Sequence, residues 1–525
     1  MSPIDPKTSS KSSRSSWAAA RLLLFILPSL MVMSACTGGK PRSESTGRGV
    51  LVIAIDALRA DHLSSNGYDR RTTPVMDAFA EDAVAFDKTW SASPRLLPAH
   101  CALLTGSDAD LSRRLYIMES PVADELRFEI TDKMPHAAVS FIGAGYRTAA
   151  FVDHEQLTPV NGLGSGFQEF LPMGEVLPGT GPAGPDVGLA GTSRRFLDWA
   201  RGLDDDEDWF SYIQVSDLER VWNHNDPSAD GYFEPRPGLK AVPPISNDVE
   251  AFFAQPRSRW MGGAVSMGQY EARYDGRLRS LDQQLGSLFA DLKRAGLWET
   301  TTICIVGSFG VQFGEAGLIL DHGLYSSADL RVPWLIRPAD SERFEPGHRS
   351  ENLASTTDLV PTLLDLEGIP EPAGMLGHSQ AGALRPGTEP VRDFAYSTCG
   401  YQEGGAVIGP RYILEHVFPG VALGSHGTGL RRGWFGDDDV HEGYSRQRFY
   451  DSDAFPLPDF RLTDELLAGG VPPLEQAKLT TAALTRFANT SKARQALHGS
   501  SWRKDKLGTE EVDKLIELGF LGSKP

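Results

Sequence analysis

The segment GVLVIAI, residues Gly49–Ile55, gives the clearest indication of the fold class. It is a continuous apolar run rich in β-branched residues, which is typical of a strand buried on both faces by helices. Thr148–Val152, Trp209–Val215 and Thr301–Val306 are predicted to be further strands. The chain is therefore predicted to be an α/β protein.

Helical patterns lie between these strands. From Tyr270 to Leu297, apolar residues recur at steps of three and four, which predicts one long helix that ends near Gly296 and packs its apolar face into the core. Shorter helices are predicted to begin at Thr73–Pro74 and to cover Thr357–Leu366.

Other segments lack a regular pattern. Residues 155–190 and 221–262 are rich in glycine, proline and polar residues, so they are predicted to be loops or insertions over the sheet edge, the second being the expected lid. After Pro370 the pattern breaks into short strands separated by glycine and proline, such as Ala406–Leu414, which favours a smaller β-rich region.

Composition and charge exclude several classes of protein. Of the 525 residues, 41% are hydrophobic and 23% charged, so neither a disordered nor a fibrous protein is expected. A net charge of -18 has the wrong sign for a protein that mainly binds nucleic acid. The chain has four cysteines, and three of them, Cys101, Cys304 and Cys399, are expected to be small buried residues without disulfides.

The N-terminal residues have the pattern of a secretory signal. Four basic residues within the first 21 are followed by the apolar run Leu22–Met33, which is too short to span a membrane, and by small residues before Cys36. We interpret Cys36 as a lipidated N-terminus. Plain secretion or an uncleaved anchor stays open as an alternative, and in each case the body of the protein is exported to the periplasmic or cell-surface side.

The predicted organisation has four regions. They are a lipoprotein-type signal peptide with its lipidation Cys (1–36), a flexible tether (37–47), an α/β domain (48–385) and a smaller C-terminal β-rich subdomain with a helical tail (386–525).

Several motifs resemble one family in its order along the chain. The segment Ile55–Gly106, from IDALRAD to LLTG, closely resembles the N-terminal region of sulfatases in the alkaline phosphatase superfamily. Further similar segments are Tyr274–Glu299, Gly307–Gly317, His322–Arg337, Ser355–Pro370 and Leu515–Gly522. The resemblance covers about residues 48–525 and implies a mostly parallel central sheet flanked by helices, a smaller domain with a short antiparallel sheet, and substrates bound at the strand ends.

The resemblance also implies a chemistry. Active members hold a divalent metal, usually calcium, with Asp residues after the first strand and an Asp-Asn or Asp-His pair after a later strand. A Cys or Ser converted to formylglycine within C-x-P-x-R attacks the sulfate, and related members hydrolyse phosphate esters with an unmodified Thr or Ser.

Carried onto this sequence, most of these positions hold other residues. Asp56 matches the first metal ligand and is interpreted as vestigial, because Ala57 follows it where a second Asp is frequent. The later metal pair falls on Ser308 and Phe309, and the nucleophile position falls on Leu96, which is inert. One neutral donor and one carboxylate are too few for a hard cation, which prefers several charged oxygens.

The remaining matches suggest an anion-binding cleft. His322 matches a position that contacts ester oxygens or protonates the leaving group, and it is the surviving catalytic candidate. His100 stands where the family carries Arg, and Gln214 and Glu219 replace a histidine pair. Arg95, beside the nucleophile position, would make the cleft locally cationic. The candidate substrate-binding residues are therefore Arg95, His100, Gln214 and His322.

Each of these residues also has a structural interpretation. Asp56 is equally well explained as a turn cap, Arg59 and Asp61 as a structural ion pair, and His322 as a loop residue.

Three functions follow from these assignments. The favoured one is an exported pseudoenzyme of the sulfatase family that binds or scaffolds, for example, a sulfated or carboxylated glycan, with a membrane partner through its lipid anchor, no nucleic acid and no cofactor. The alternative is an active sulfuric or phosphoric ester hydrolase with Cys101 or Ser93 as nucleophile, one divalent metal, and Asp153–His154 or Asp321–His322 as replacement ligands. The third is a purely structural protein whose cleft is filled by Leu96 and Phe309.

Overall fold

The structure is a computed structural model, and it describes residues 47–116, 126–159, 162–172, 187–219, 231–237, 241–242, 245–246, 255–256, 261, 263–314, 320–323, 325–398, 404–417, 446–451, 471–498 and 503–504. The predicted signal peptide, Cys36, nearly all of the tether, most of the predicted lid, Cys399 and the tail segment Leu515–Gly522 lie outside the described residues.

The strands alternate with helices along most of the described chain. They are β1 (Gly49–Ile55), β2 (Val84–Trp90), β3 (Arg113–Tyr116), β4 (Leu126–Glu129), β5 (Arg147–Phe151), β6 (Glu169–Leu171), β7 (Trp209–Val215), β8 (Ile245–Ser246), β9 (Gln255–Pro256), β10 (Thr301–Gly307), β11 (Trp334–Arg337), β12 (Arg349–Ser355), β13 (Ala395–Thr398), β14 (Gly404–Ile408), β15 (Tyr412–Val417), β16 (Arg446–Asp451) and β17 (Arg503–Lys504).

The α-helices are α1 (Pro74–Glu81), α2 (Leu96–Thr105), α3 (Ala137–Gly143), α4 (Gly188–Ala200), α5 (Met267–Arg294), α6 (Ser327–Leu330), α7 (Leu359–Leu366) and α8 (Pro473–His498). Short 3-10 helices cover Ala60–His62, Ser64–Asn66, Ala109–Leu111, Ser341–Arg343, Thr356–Asp358 and Ala381–Leu384. Within the described residues, no helix is both long and apolar enough to cross a membrane.

The central sheet has eight strands in the order β12-β2-β11-β10-β1-β7-β5-β6. β1 pairs in parallel with β10 on one side and with β7 on the other, and β5 and β6 continue the parallel arrangement. Only β11 runs antiparallel to its neighbours, β10 and β2. This confirms the predicted α/β fold with a mostly parallel central sheet flanked by helices.

β1 lies at the middle of the core because its sequence contains no polar side chain. All seven of its residues are buried, and burial of each large apolar side chain contributes about 1.5–3 kcal/mol. Gly49 begins the strand without a side chain because a Cβ there would lie 2.3 Å from the Trp209 ring of β7. The predicted bounds of β1 and β7 agree with the structure, and β10 extends one residue further.

The long predicted helix is α5, which begins at the capping box of Ser266 and Gln269. Its leucines at 278, 281, 285, 288 and 292 are buried in the main core, as the periodicity predicted. By contrast, the loop prediction for residues 155–190 is wrong over β6 and at Gly188, where α4 begins. β6 is a three-residue edge strand, too short to show a recognisable alternation.

A second sheet follows the main one. β13, β14, β15 and β16 form an antiparallel sheet in that order, and the predicted segment Ala406–Leu414 contributes the β14–β15 hairpin. Val407 and Leu414 pack against Leu479 of α8. β17, β3 and β4 form a small third sheet, and β8 pairs with β9. The described residues from Gly47 onward belong to one compact unit, and the boundary near residue 385 stays a prediction.

Candidate functional site

Asp56 is placed at the carboxyl end of the central strand. β1 ends at Ile55, and the backbone N–H of Asp56 donates to the carbonyl of Val215, the last residue of β7, at 3.0 Å. Its side chain is completely buried. The ends of β7 and β10 flank it, as expected for a ligand-binding edge of a parallel sheet.

Four side chains converge on the Asp56 carboxylate. His100 Nε2 lies 2.9 Å from Oδ1, which also accepts a hydrogen bond from Ser308 Oγ. Gln214 Nε2 donates to Oδ2 at 2.5 Å, and Ser216 Oγ donates to the same oxygen at 3.0 Å. Because a carboxylate offers about four lone-pair positions, these four contacts use all of its hydrogen-bonding capacity.

The carboxyl group of Asp56 is ionised in this setting. Burial raises its pKa, but the charge interaction with His100 and the hydrogen bonds from His100 and Ser308 together outweigh it, so the pKa lies below its usual range. The hydrogen bonds therefore satisfy the buried carboxylate.

Tyr212 fixes the orientation of His100. The phenol oxygen lies 2.7 Å from His100 Nδ1, and burial, with a smaller contribution from Asp56, holds the pKa of Tyr212 well above its ordinary value. The phenol thus keeps its proton, and its contact with Nδ1 holds the imidazole so that Nε2 faces Asp56.

Gln214 is fixed in a similar way. The backbone N–H of Asp153 donates to Gln214 Oε1 at 2.7 Å, so the amide nitrogen must point toward Asp56. Ser216 as a partner of Asp56 and Tyr212 as a partner of His100 were not predicted from the sequence. The period-two alternation of β7 was the available signal, because Tyr212, Gln214 and Ser216 share one face of the strand and its extension.

The residues at the other metal positions do not fit a hard divalent cation. Ala57 has a positive φ of 55°, and its carbonyl accepts a hydrogen bond of 2.6 Å from Tyr274, so its backbone oxygen is also engaged. Phe309 is buried. In the part of the chain that the structure describes, no group of three or more His, Cys, Asp or Glu side chains could hold a metal ion.

The nucleophile position opens α2. Leu96 is the first residue of this helix, is 7% exposed, and belongs to the main core cluster. Gly106, in the left-handed conformation, ends the helix. Cys101 lies within α2, five residues after Leu96, and is buried. Burial raises the pKa of its thiol to about 12, which opposes thiolate formation. Ser93 is also buried, and its Oγ accepts the Arg95 N–H at 3.2 Å.

A second polar cluster lies at the same edge of the sheet and is partly exposed. Glu219, in the turn after β7, lies between two histidines. Its Oε1 is 3.1 Å from His322 Nε2, and its Oε2 is 3.6 Å from His154 Nε2. His322 Nδ1 lies 2.8 Å from the carbonyl of Pro94, and its ring packs against Phe309 with centroids 4.4 Å apart.

The predicted substrate-binding residues thus divide into two groups. His100 and Gln214 are buried and hydrogen-bonded to Asp56, whereas His322 is in the partly exposed cluster around Glu219. Arg95 is half-buried, and a Cβ built on Gly323 would lie 3.5 Å from its guanidinium, so Arg95 lies beside the loop of His322. The ligand-binding role of all four residues stays a prediction.

Solved structures share this architecture. The phosphonate monoester hydrolase of Agrobacterium radiobacter is similar with a TM-score of 0.57 and 16% identity, over 86% of this chain and 96% of that one. A putative sulfatase from Bacteroides thetaiotaomicron is similar with a TM-score of 0.59 and 18% identity, over 86% and 93%. The fold is that of the sulfatases and the alkaline phosphatase superfamily.

The amino-acid sequence identifies the family as well as the fold. Residues 48–369, more than half of the chain, match the family Sulfatase, and the chain belongs to this family, as its motifs predicted. It is 31% identical over 119 residues to the multifunctional alkaline phosphatase superfamily protein PehA of Trinickia caryophylli, covering 23% of each. It is 32% identical over 120 residues to an extracellular sulfatase SULF-1 homolog of Drosophila melanogaster, covering 22% of this chain and 10% of that one. These matches span less than a quarter of either relative.

Proposed function

We propose that this sulfatase-family protein is a pseudoenzyme that binds or scaffolds a ligand without hydrolysing it. The observation that supports this best is the engagement of Asp56 by four hydrogen-bond donors in place of a cation. Ester hydrolysis of the family type requires an activated oxygen nucleophile and a cation at the ester oxygens. Leu96 supplies neither, and a general acid such as His322 contributes only about a hundred- to ten-thousand-fold on its own.

The proposed ligand is anionic, such as a sulfated or carboxylated glycan. Arg95 and His322 lie at the partly exposed edge of the site and are the cationic groups that would contact it. One of the similar proteins is an extracellular sulfatase homolog, which agrees with a sulfated ligand.

Turnover and metal content test the absence of catalysis. We expect purified protein to hydrolyse 4-nitrophenyl sulfate and 4-nitrophenyl phosphate no faster than the buffer, and to contain much less than one equivalent of calcium, magnesium or zinc. Stoichiometric metal together with a measurable rate would overturn the proposal. In that case Cys101→Ala and Ser93→Ala would identify an unconventional nucleophile by loss of the rate.

We also propose that the protein is exported and anchored to a membrane through Cys36. The support is the sequence of residues 1–36, with its basic start, short apolar run and small residues before the cysteine. We expect the protein to fractionate with membranes and to incorporate a labelled fatty acid, and Cys36→Ala to lose the label. A Cys36→Ala protein that keeps the label would show that the lipid is attached elsewhere.

A further inference from the structure

Glu219 is surrounded as a bound oxyanion would be. Each of its two carboxylate oxygens is directed at a different imidazole, Oε1 at His322 Nε2 and Oε2 at His154 Nε2. The two histidines come from separate elements, His154 from the segment after β5 and His322 from the segment after β10. The three side chains are 16–22% exposed, so a ligand in solution can reach them.

The orientation of His322 follows from its other contacts. The Pro94 carbonyl can only accept a hydrogen bond, so the Nδ1 that lies 2.8 Å from it carries a proton. The Phe309 ring packs against the imidazole and holds its plane. With Nδ1 turned to the Pro94 carbonyl, Nε2 is the ring atom that faces the Glu219 carboxylate, at 3.1 Å.

Arg95 adds a further cation near this pair. Its guanidinium lies against Gly323, the residue after His322. This edge of the sheet therefore combines three groups suited to an oxyanion, Arg95, His154 and His322, with one carboxylate, Glu219, that faces both imidazoles.

We propose that Glu219 is an internal competitor for the oxyanion position between His154 and His322 and thereby determines which ligands the cleft accepts. A sulfate or carboxylate group must displace the Glu219 carboxylate before it contacts the imidazoles. The cleft therefore discriminates against free anions, and a ligand must supply additional contacts to be bound. This inference rests on the proposed binding function for its biological meaning, but not for its test.

Inorganic sulfate is the probe, and calorimetric titration at constant ionic strength is the measurement. Glu219→Gln preserves the size of the side chain and removes its charge. We expect it to bind sulfate roughly tenfold or more tightly than the wild type, since a neutral amide competes less well than a carboxylate for the two imidazoles. The matched control is Glu155→Gln, which removes an exposed charge from the residue next to His154 and should leave the affinity within about twofold, because surface charges are screened.

A second substitution tests the position of the anion. In the Glu219→Gln protein, His322→Ala should reverse most of the gain in affinity, because it removes one of the two imidazoles. Circular dichroism and the melting temperature establish that each variant is folded, and Glu219→Ala replaces Glu219→Gln if the glutamine variant does not fold.

The inference is overturned if folded Glu219→Gln binds sulfate no more tightly than the wild type, or if Glu155→Gln gives the same gain. Its failure is distinguishable from failure of the proposed function. Turnover by the wild type would remove the pseudoenzyme proposal and leave the competition result unchanged, whereas an inert protein whose Glu219→Gln variant gains no affinity would remove only this inference.

Discussion

Asp56 is a buried carboxylate that accepts hydrogen bonds from four side chains. Asp56→Ala is expected to lower the free energy of unfolding by about 3–5 kcal/mol, because it leaves the donors of His100, Gln214, Ser216 and Ser308 facing an apolar methyl group. Asp56→Asn should cost less, since it retains one acceptor oxygen. Urea unfolding monitored by circular dichroism measures both changes.

The same measurement distinguishes a hydrogen-bonded carboxylate from a metal ligand. EDTA or added calcium should leave the wild-type unfolding midpoint unchanged. A cation that bound only to the folded state would raise the midpoint, and EDTA would then lower it. A midpoint that falls in EDTA for the wild type, but not for Asp56→Ala, would contradict the hydrogen-bonded interpretation and indicate a bound cation.

At the residue scale, the sequence predicted individual positions better than their partners. Motif order identified Asp56, Leu96 and Ser308, since each follows a recognisable segment. The alternation of β7 places Tyr212 on the same face as Gln214, but its pairing with His100 depends on how α2 lies over β7, which no local pattern encodes. The Arg59–Asp61 ion pair was predicted, and the structure contains it with 2.7 Å between Arg59 Nη2 and Asp61 Oδ2, since residues two apart need no tertiary information to meet.

At the element scale, Asp282 on α5 supplies the N-terminal cap of α1. Its Oδ2 accepts from the N–H of Val75 and its Oδ1 from the N–H of Met76, each at 2.9 Å. Thr73 itself makes no side-chain cap. Asp282→Ala should therefore lower the free energy of unfolding by about 2–3 kcal/mol, because two helix N–H groups lose their acceptor.

Thermal and urea unfolding measure the effect of Asp282→Ala. Asp291→Ala, on the same helix, is the control, because the Asp291 side chain forms an ion pair with exposed Arg294 three residues later. It should change stability by less than about 0.5 kcal/mol. Equal effects of the two substitutions would show that Asp282 contributes no more than an ordinary surface residue of α5.

Asp329 of α6 makes the segment that carries His322 sensitive to pH. Burial raises its pKa to about 7, although hydrogen bonds from Gln312 and Ser326 and the charge of His322 act in the opposite direction. Between about pH 4 and 7, the folded protein therefore holds a proton that the unfolded chain has lost. This contribution to stability is complete below about pH 4 and is lost as the pH rises toward 7.

Asp329→Asn tests this dependence. The group can lower the free energy of unfolding by up to about 1.4 kcal/mol per pH unit across the window, and the amide does not titrate, so the variant should show a shallower decline from pH 5 to pH 7. Urea unfolding at pH 5, 6, 7 and 8 provides the comparison. Parallel curves for the two proteins would contradict the raised pKa of Asp329.

The sequence predicted elements where hydrophobic periodicity was long or uninterrupted. β1 and β7 have the predicted bounds because they are buried on both faces and consist of a single run. The 28 residues of α5 contain almost eight turns, enough for the pattern to be certain. β6 and α4 were missed, because one is too short and the other begins within a glycine-rich segment.

At the scale of the whole molecule, the order of the strands could not be obtained from local patterns. The resemblance to sulfatases predicted a mostly parallel sheet, but β11 runs antiparallel between β10 and β2, and β2 pairs in parallel with β12 from far along the chain. Pairing of this kind depends on long-range packing, since strands of similar composition are interchangeable in a propensity argument.

One arginine links the smaller antiparallel sheet to the α/β body. Arg486 of α8 forms an ion pair with Asp108, a residue that follows α2 and is 2% exposed. Its guanidinium also lies 4.9 Å from the ring centroid of Tyr396 on β13. Arg486→Met removes the charge from a side chain of similar length, so it leaves the buried Asp108 carboxylate without its cation, and we expect a loss of about 3–5 kcal/mol.

A double-mutant cycle separates the ion pair from the other contacts of Arg486. Asp108→Asn in the Arg486→Met background should recover part of the loss, giving a coupling energy above about 1 kcal/mol, because the second substitution neutralises the charge that the first leaves unpaired. Arg486→Lys should lie between the wild type and Arg486→Met, since it keeps the charge but not the planar contact with Tyr396. Strictly additive effects of the two substitutions would show that the ion pair contributes no coupling energy between the α/β body and α8. The attachment of α8 would then depend on apolar packing, such as that of Leu479 against Val407 and Leu414.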